Sequence, residues 1–272
     1  MPETRVVLIT GASSGIGQAT ARLLAQRGFT VFGTSRNPSS IETMSGVEVL
    51  PLDVCSGEAV EACLDTVLKK TRRLDILINN AGYVLRGAIE EPTVEEVKAQ
   101  FETNLFGVVR TVKDVLPIMR KQGSGQIINS SSGAGLVPSP FAGYYSASKF
   151  ALEGYTEALR HEVKPFNVRV SLVEPGFIKT NVWDNSKQAV DRISAYDPWR
   201  QRALEVRHQF EERAPGPTVV AEVILNIIES KSPRLRHTVG SDAARMFWMR
   251  RFLPEAIFEK GMRRTLHLDI KK

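Results

Sequence analysis

Residues Arg5–Gly17 read RVVLITGASSGIG. A short run of β-branched and apolar residues, Arg5–Thr10, has the composition of a buried strand. It enters Gly11-Ala-Ser-Ser-Gly15-Ile-Gly17, after which Ile16, Ala19, Thr20, Leu23 and Leu24 recur at helical spacing until Gly28. Strand, glycine turn and helix in immediate succession form a unit that binds pyrophosphate. Glycines remove Cβ atoms where the backbone must turn tightly and come close to a ligand, and the first turn of a helix offers N–H groups with no partner of their own. The spacing is G-x-x-x-G-x-G, and a glycine-rich turn without a ligand is the plainer alternative. Gly11, Ser13, Ser14, Gly15, Ile16 and Gly17 are therefore the first candidates for dinucleotide contact.

Working outward, Thr30–Thr34 predicts a second strand, ending at Ser35-Arg36. An acidic residue at this point would pair with the ribose hydroxyls of NAD, whereas an arginine accommodates the 2′-phosphate of NADP. No acid occurs before Glu42. Arg36 offers a planar fork of donors, so NADP(H) is expected over NAD(H); a solvated loop arginine is the alternative. Asp53, after a third strand Val47–Leu50, either accepts from an adenine amino group or caps the following turn. Val54 stands beside it. A helix Glu58–Lys70 and a fourth strand Leu74–Ile78 lead to Asn79-Asn80-Ala81-Gly82, small and amide residues at a strand's carboxyl end that admit a flat ligand to the backbone. A long helical stretch runs from Thr93 to about Met119 and carries Asn104 among apolar residues, where an amide is either functional or a kink or satisfied core group.

Beyond a fifth strand (Gln126–Ser130) lies GYYSASKFALEGYTEA, Gly143–Ala158. Tyr145 and Lys149 stand four apart and project from one helical face. A phenol has a reference pKa of about 10, and a fixed cation beside it is expected to pull that value towards neutrality, as a general acid/base needs. A sixth strand (Asn167–Val173) precedes Glu174-Pro-Gly-Phe-Ile-Lys-Thr180. Residues 182–217 are polar with interspersed aromatics and no strand pattern, which reads as a substrate-covering lid or as a surface insertion. A helix Thr218–Ser230 and a last strand around Thr238–Gly240 complete residues 1–242. Residues 243–272 form a basic amphipathic tail that packs on its own domain or on a partner, or else lies on a membrane surface.

The chain has 272 residues, 42% hydrophobic and 24% charged, with net charge +6. That suits one α/β domain. The basic residues are scattered up to the tail, which gives nucleic acid no support. Two cysteines (Cys55, Cys63) form no framework and four histidines show no metal-ligand spacing. No metal is expected, and a cytoplasmic setting is.

TGASSGIG (Thr10–Gly17), NNAG (Asn79–Gly82), Asn104 in TNLFG, Ser132, YSASK (Tyr145–Lys149) and PGFIKT (Pro175–Thr180) stand in one order and spacing. In these the chain resembles the short-chain dehydrogenase/reductases, with TSRNP (Thr34–Pro38) and YYSASKFALEGYTEALRHE most similar to the NADP-preferring steroid- and retinol-dehydrogenase-like members. The resemblance implies a single Rossmann-type domain, a doubly wound parallel sheet of about seven strands. It also implies hydride exchange between a nicotinamide and a hydrophobic secondary alcohol/ketone or aldehyde. It assigns Ser132 to orienting the substrate oxygen, a choice over Ser130 and Ser131 made on family spacing. Tyr145 becomes the general acid/base, Lys149 also binds the nicotinamide ribose, and Asn104 holds a water linking Lys149 to solvent. Asn80, Ala81, Gly82, Pro175, Gly176, Ile178 and Thr180 join the cofactor contacts. Leu136, Val137, Phe141, Phe177 and Trp183 are expected to line the substrate pocket. A homodimer or homotetramer is the analogous assembly. A non-catalytic NADP(H)-sensing regulator is the competing function, one that would need only the cofactor half of these motifs.

Overall fold

A computed structural model describes residues 4–183 and 186–268. In chain order it holds β1 (Val6–Ile9), α1 (Gly15–Gln26), β2 (Thr30–Ser35), β3 (Val47–Pro51), α2 (Gly57–Thr71), β4 (Ile76–Asn79), β5 (Leu85–Arg86), α3 (Val94–Phe101), α4 (Gly107–Gln122) and β6 (Gly125–Ser130). There follow α5 (Gly143–Val163), β7 (Val168–Pro175), β8 (Lys187–Gln188), α6 (Asp197–Glu212), α7 (Thr218–Glu229), β9 (Arg236–Val239), α8 (Ser241–Phe252) and α9 (Glu255–Thr265). Seven strands form one parallel sheet in the order β3-β2-β1-β4-β6-β7-β9. This is the doubly wound α/β arrangement that the sequence predicts.

The central strands are continuous apolar runs because helices cover both faces. On one side Leu8, Leu77, Ile127 and Val170 pack against α2, α4 and α5 through Val60, Val67, Val112 and Leu152. On the other, Val7, Ile9, Ile76 and Ile128 meet α1 and α7 through Leu24, Val220 and Ile224. The strand order reverses between β1 and β4, where the loops leaving the two carboxyl ends diverge and open a crevice.

Buried polar side chains tie helices to these strand ends. Asn79 donates to Asn129 Oδ1 (2.9 Å) and accepts from Thr111 of α4 (2.7 Å), and Asn129 donates to Thr156 of α5 (3.0 Å). Each amide sits in the sheet interior with its donors and acceptors matched, so the two helices are held in register over the crevice.

Two sequence expectations change. The stretch Thr93–Met119 is not one regular helix: residues Glu102–Phe106 form a π turn between α3 and α4. The extra residue in that turn shifts the helical phase, a device that recurs at functional sites. It brings Asn104 inward, fully buried. The segment 182–217 does contain a strand: β8 pairs in parallel with β5. Two residues are too few to leave a period in sequence. The long helix of this segment, α6, begins at Asp197 with Pro198 in its first turn, a position that needs no N–H donor.

Candidate active site

A cleft of about 1200 Å³ lies over the carboxyl ends of β1, β2, β4, β6 and β7. Its first half is the glycine turn. Gly11 has φ +68°, and a Cβ there would lie 2.8 Å from Ala81 Cα; Gly15 has φ +56°. A Cβ on Gly17 would meet the Gly11 carbonyl oxygen and lie 2.5 Å from Asn80 Nδ2. Asn80 itself fastens the turn, donating to Thr10 O (3.1 Å) and Gly11 O (2.8 Å). The Asn80 and Ala81 N–H groups donate to Thr10 Oγ1, each at 3.0 Å. The two glycine-bearing loops are thereby drawn together without side chains between them. Ser14, in extended conformation ahead of α1, makes no capping bond with its hydroxyl, so the helix N-terminus faces the cleft with its N–H groups unclaimed by it. A cradle of this shape fits the pyrophosphate of a dinucleotide.

Of the residues expected at a cofactor, Gly11, Ser13, Ser14, Gly15, Ile16, Arg36, Asp53, Val54, Asn80, Ala81, Gly82, Tyr145, Lys149, Pro175, Gly176, Ile178 and Thr180 all line the cleft. Gly17 does not line it and acts through the close approach just described. Asp53 is engaged locally, its Oδ1 accepting from Cys55 N at 3.0 Å; the cap of α2 is Ser56, which accepts from Ala59 N. Glu42, the first acid after β2, is ion-paired with Arg22 at 2.8 Å.

The second half gathers Ser132, Tyr145 and Lys149. Ser132 heads the turn Gly133–Gly135, its Oγ accepting from Ala134 N at 3.1 Å. Tyr145 and Lys149 share a face of α5. Lys149 is buried and donates to Ser130 O at 2.8 Å, with Nζ 5.9 Å from the Tyr145 ring centroid. Burial pushes the Lys149 ammonium down to about 8, opposed by the carboxylate of Glu153. The expected depression of Tyr145 by Lys149 is not what the structure gives. Burial raises the phenol, and the groups that oppose it are the Ser132 hydrogen bond and the Arg207 guanidinium. Lys149 points its charge at a carbonyl, while Arg207 arrives from α6, far away in sequence. The Asn104 side chain makes three hydrogen bonds and keeps one acceptor position of Oδ1 to spare. Its Oδ1 accepts from Tyr83 N (3.1 Å), and its Nδ2 donates to Tyr83 O (3.1 Å) and Ser148 Oγ (3.1 Å). It joins the π turn to the loop after β4 and to α5, and it does not itself line the cleft.

Beyond the cluster the cleft is lined by apolar and aromatic side chains together with Arg200 and Arg207. Val137, Phe141, Phe177 and Trp183 line it, as expected; Leu136 does not. The turn Gly133–Gly135 closes with Leu136 N on Gly133 O, and the rotation of the chain past it presents Val137 to the cleft. Trp183 lies edge-on to Tyr145 with centroids 6.4 Å apart, and Phe177 stacks on Phe210 at 5.1 Å. Arg207 covers the Trp183 ring, 3.1 Å from its centroid, and is ion-paired with Glu211. Glu91 anchors the segment carrying α6: almost fully buried, it accepts from Ala88 N (2.6 Å) and Ile193 N (2.9 Å) and is ion-paired with Arg200. Although burial opposes it, these donors hold Glu91 below the usual carboxylate range.

The tail supplies walls that the sequence reading did not assign to the site. Met246 and Met249 of α8 and Phe258, Met262 and Leu266 on and just after α9 line the cleft. Their helical spacing was visible; which surface that face would meet was not. Among the described residues no cluster of His, Cys, Asp or Glu is arranged to hold a metal, and no helix is long and apolar enough to cross a membrane.

Comparison with known proteins agrees with this geometry. A 3-ketodihydrosphingosine reductase of Bacteroides thetaiotaomicron is 40% identical over 264 residues, 96% of this chain and 97% of that protein. A bovine retinol dehydrogenase 8 is 37% identical over 257 residues, 87% of this chain and 82% of that one. The crystal structure of a short-chain dehydrogenase/reductase from Burkholderia phymatum in complex with NAD superposes with a TM-score of 0.76 at 26% identity, covering 92% of this chain and 95% of that one. The family model for short chain dehydrogenases matches residues 5–191. With its parallel sheet, glycine cradle and Ser132–Tyr145–Lys149 cluster, the chain belongs to the short-chain dehydrogenase/reductase family of NAD(P)-dependent oxidoreductases.

Proposed function

We propose that the protein is an NADP(H)-dependent oxidoreductase of long, lipophilic ketones and secondary alcohols, with Tyr145 as general acid/base. The observation that carries the reading is that one cleft is lined by the glycine turn, by Ser132, Tyr145 and Lys149, and by apolar side chains that include Trp183, edge-on to Tyr145. A carbonyl placed there receives hydrogen bonds from the Ser132 and Tyr145 hydroxyls, donors fixed in advance for the negative charge that develops on oxygen during reduction. Tyr145 delivers the proton, and Lys149 holds positive charge beneath it. Bound nicotinamide supplies or accepts the hydride, which is the cofactor's own chemistry. Asn104 is a positioning residue, locking the π turn to α5. Segment 182–217, of which residues 184 and 185 lie outside the described residues, covers the site as a lid latched by Glu91. The names of both curated relatives denote lipid-like substrates, and the methionine-lined wall is a surface that adapts to a flexible chain.

The test is NADPH consumption by the purified full chain with 3-ketodihydrosphingosine, retinal, a steroid ketone and a short water-soluble ketone. Turnover that rises with chain length supports the reading. Tight NADPH binding without turnover on any of them overturns it in favour of a sensor.

The preference for NADP(H) rests on Arg36 at the end of β2, with no acid free to take its place. Arg36→Asp is expected to raise the NADPH dissociation constant about 10- to 100-fold, the cost of a lost charge-assisted bond of roughly 1.5–3 kcal/mol, and to leave NADH within a few-fold. Fluorescence titration with both cofactors checks this; an unchanged ratio reduces Arg36 to a loop residue.

The tail offers a contact for an anionic membrane surface. Trp248 (54% exposed) and Phe252 (69%) stack at 5.3 Å, with Ile257 exposed nearby on α9. Arg251, Lys260 and Arg264 are exposed on the same helices. Amphipathic helices of this composition bind lipid interfaces. A Trp248→Ser/Phe252→Ser variant is expected to lose most of its co-sedimentation with phosphatidylserine vesicles. Equal sedimentation of variant and wild type removes the membrane role.

A further inference from the structure

Behind Lys149, on the side away from the cleft, the protein buries two carboxyl groups. Glu153 lies one turn further along α5 and Glu174 near the end of β7; both are almost wholly inaccessible. They converge on one guanidinium. Arg236 Nε of β9 lies 3.1 Å from Glu153 Oε2 and 3.4 Å from Glu174 Oε1, while Arg236 Nη2 reaches the more exposed Glu157 at 3.0 Å. Thr238 donates to Glu174 Oε2 at 2.7 Å. The remaining oxygens, Glu153 Oε1 and Glu174 Oε1, are buried without a hydrogen bond of full geometry, as is the Ser131 hydroxyl. Ser131 is the one neutral donor that acts on Glu153, and Glu174 Oε1 has none.

An ionised carboxylate is an acceptor only. Two ionised carboxylates sharing one guanidinium leave two acceptors facing low dielectric and repelling each other, a costly arrangement. One proton removes both problems, since the protonated acid donates to its neighbour's free oxygen. We propose that Glu153 and Glu174 share a single proton and, as a pair, set the charge behind Lys149, acting as positioning residues that keep its ammonium protonated as the pH rises. This rests on the role proposed above for Lys149.

The route to Lys149 is short. A Cβ built on Gly135 would lie 3.2 Å from Lys149 Cβ, 3.3 Å from Glu153 Cγ and 2.8 Å from Ser131 Oγ, so these side chains meet around one point. The other groups facing the pair are few. From α5 they are Lys149 and Glu157 and from β9 Arg236; strand alternation turns His237 to the other face of the sheet. His237 bonds to Arg234 O and is held below its ordinary range by burial. Asp242 at the start of α8 is occupied by Phe177 N at 3.0 Å. Arg236 is ion-paired with both carboxyls, and Lys149 acts on Glu153 through its charge. Burial raises both acids, Glu174 to about 7 with the charge of Glu153 adding to the effect, while Ser131, Arg236 and Lys149 oppose the rise at Glu153. The sign follows. Below that range the pair carries one negative charge. Above it the proton leaves, the pair carries two, and the added charge stabilises the Lys149 cation just where burial would otherwise strip its proton, near 8.

Two measurements on the full chain without substrate test this. The first is infrared difference spectroscopy across pH 5–9 in H₂O and D₂O. It is expected to show one protonated-carboxyl band that titrates near neutrality and is missing from Glu174→Gln, a substitution that keeps the donor and acceptor of the protonated acid. The second is the ε-carbon NMR titration of Lys149. In Glu174→Gln the pair cannot gain its second charge, so Lys149 is expected to titrate lower than in the wild type by roughly half a pH unit or more. A wild-type protein with no protonated-carboxyl band overturns the shared proton. An unmoved Lys149 titration overturns the positioning role. Glu153→Gln repeats the infrared measurement if Glu174→Gln does not fold. Neither readout needs turnover, so an inactive protein would count against the proposed function and not against the pair.

Discussion

Tyr145→Phe is expected to lower kcat by about 10²–10⁴-fold while NADPH affinity stays within about two-fold, because general acid–base catalysis is worth a factor of that order. The substitution removes one hydroxyl and leaves the ring, so the edge-on packing with Trp183 at 6.4 Å persists and the cleft keeps its shape. What is lost is the donor nearest the developing charge. Ser132 still offers a hydrogen bond but is tied to its own turn through Ala134 N, and Lys149 donates to the Ser130 carbonyl. Neither reaches into the place of the phenol without rebuilding its surroundings. Steady-state kinetics with the best substrate, together with an NADPH titration, decides the matter. A variant that turns over at the wild-type rate refutes the role given to Tyr145. One that loses cofactor affinity in the same proportion makes Tyr145 a binding residue instead. Ser132→Ala combined with Tyr145→Phe is expected to cost little more than Tyr145→Phe alone, since groups that act on one oxygen are far from additive.

Gly17→Ala is expected to abolish measurable NADPH binding and to cost about 1–3 kcal/mol of stability, the range for overpacking a tight contact. The new methyl would press on the Gly11 carbonyl and come within 2.5 Å of Asn80 Nδ2. Backbone on one side and a bonded amide on the other leave it no flexible neighbour to displace. Relief requires the β1–α1 turn to move away from the loop after β4, which breaks the two bonds from Asn80 to Thr10 O and Gly11 O. The cradle would open at the same moment as the fold loosens. Gly154→Ala on α5 is the control: nothing lies within 4 Å of its Cβ position. Alanine there should raise stability by up to about 1 kcal/mol through helix propensity. Thermal unfolding and cofactor titration of both variants check the pair. Intact binding in Gly17→Ala would mean that the close approach of the two loops is not required.

Much of the site was legible because its signals are local. Strand, glycine turn and helix follow one another within Arg5–Gln26, and the step of four from Tyr145 to Lys149 is a property of any helix. Asn104 could be singled out as an amide in apolar company. Its π turn could not, since a single extra residue leaves the composition of the stretch unchanged. The pairing of β5 with β8 escaped for a similar reason, two residues being shorter than any period. Leu136 was misplaced because side-chain direction past a 3₁₀ turn depends on the turn itself.

The sequence by itself determined the parallel sheet, the position of the cradle at its switch point and the step from Tyr145 to Lys149, while the choice of Ser132 came from the family resemblance. Hydrophobic period, glycine spacing and helical phase act over a few residues, and each is written in the chain. Only the tertiary structure decided where the charges of the site come from. Arg207 over Trp183, Glu91 latching α6, the methionine wall from α8 and α9, and the Glu153–Glu174–Arg236 cluster all join residues far apart in sequence. Burial, which raises Tyr145 and lowers Lys149, depends on every element packed around them. Desolvation is a property of the assembled interior, and no local spacing encodes it.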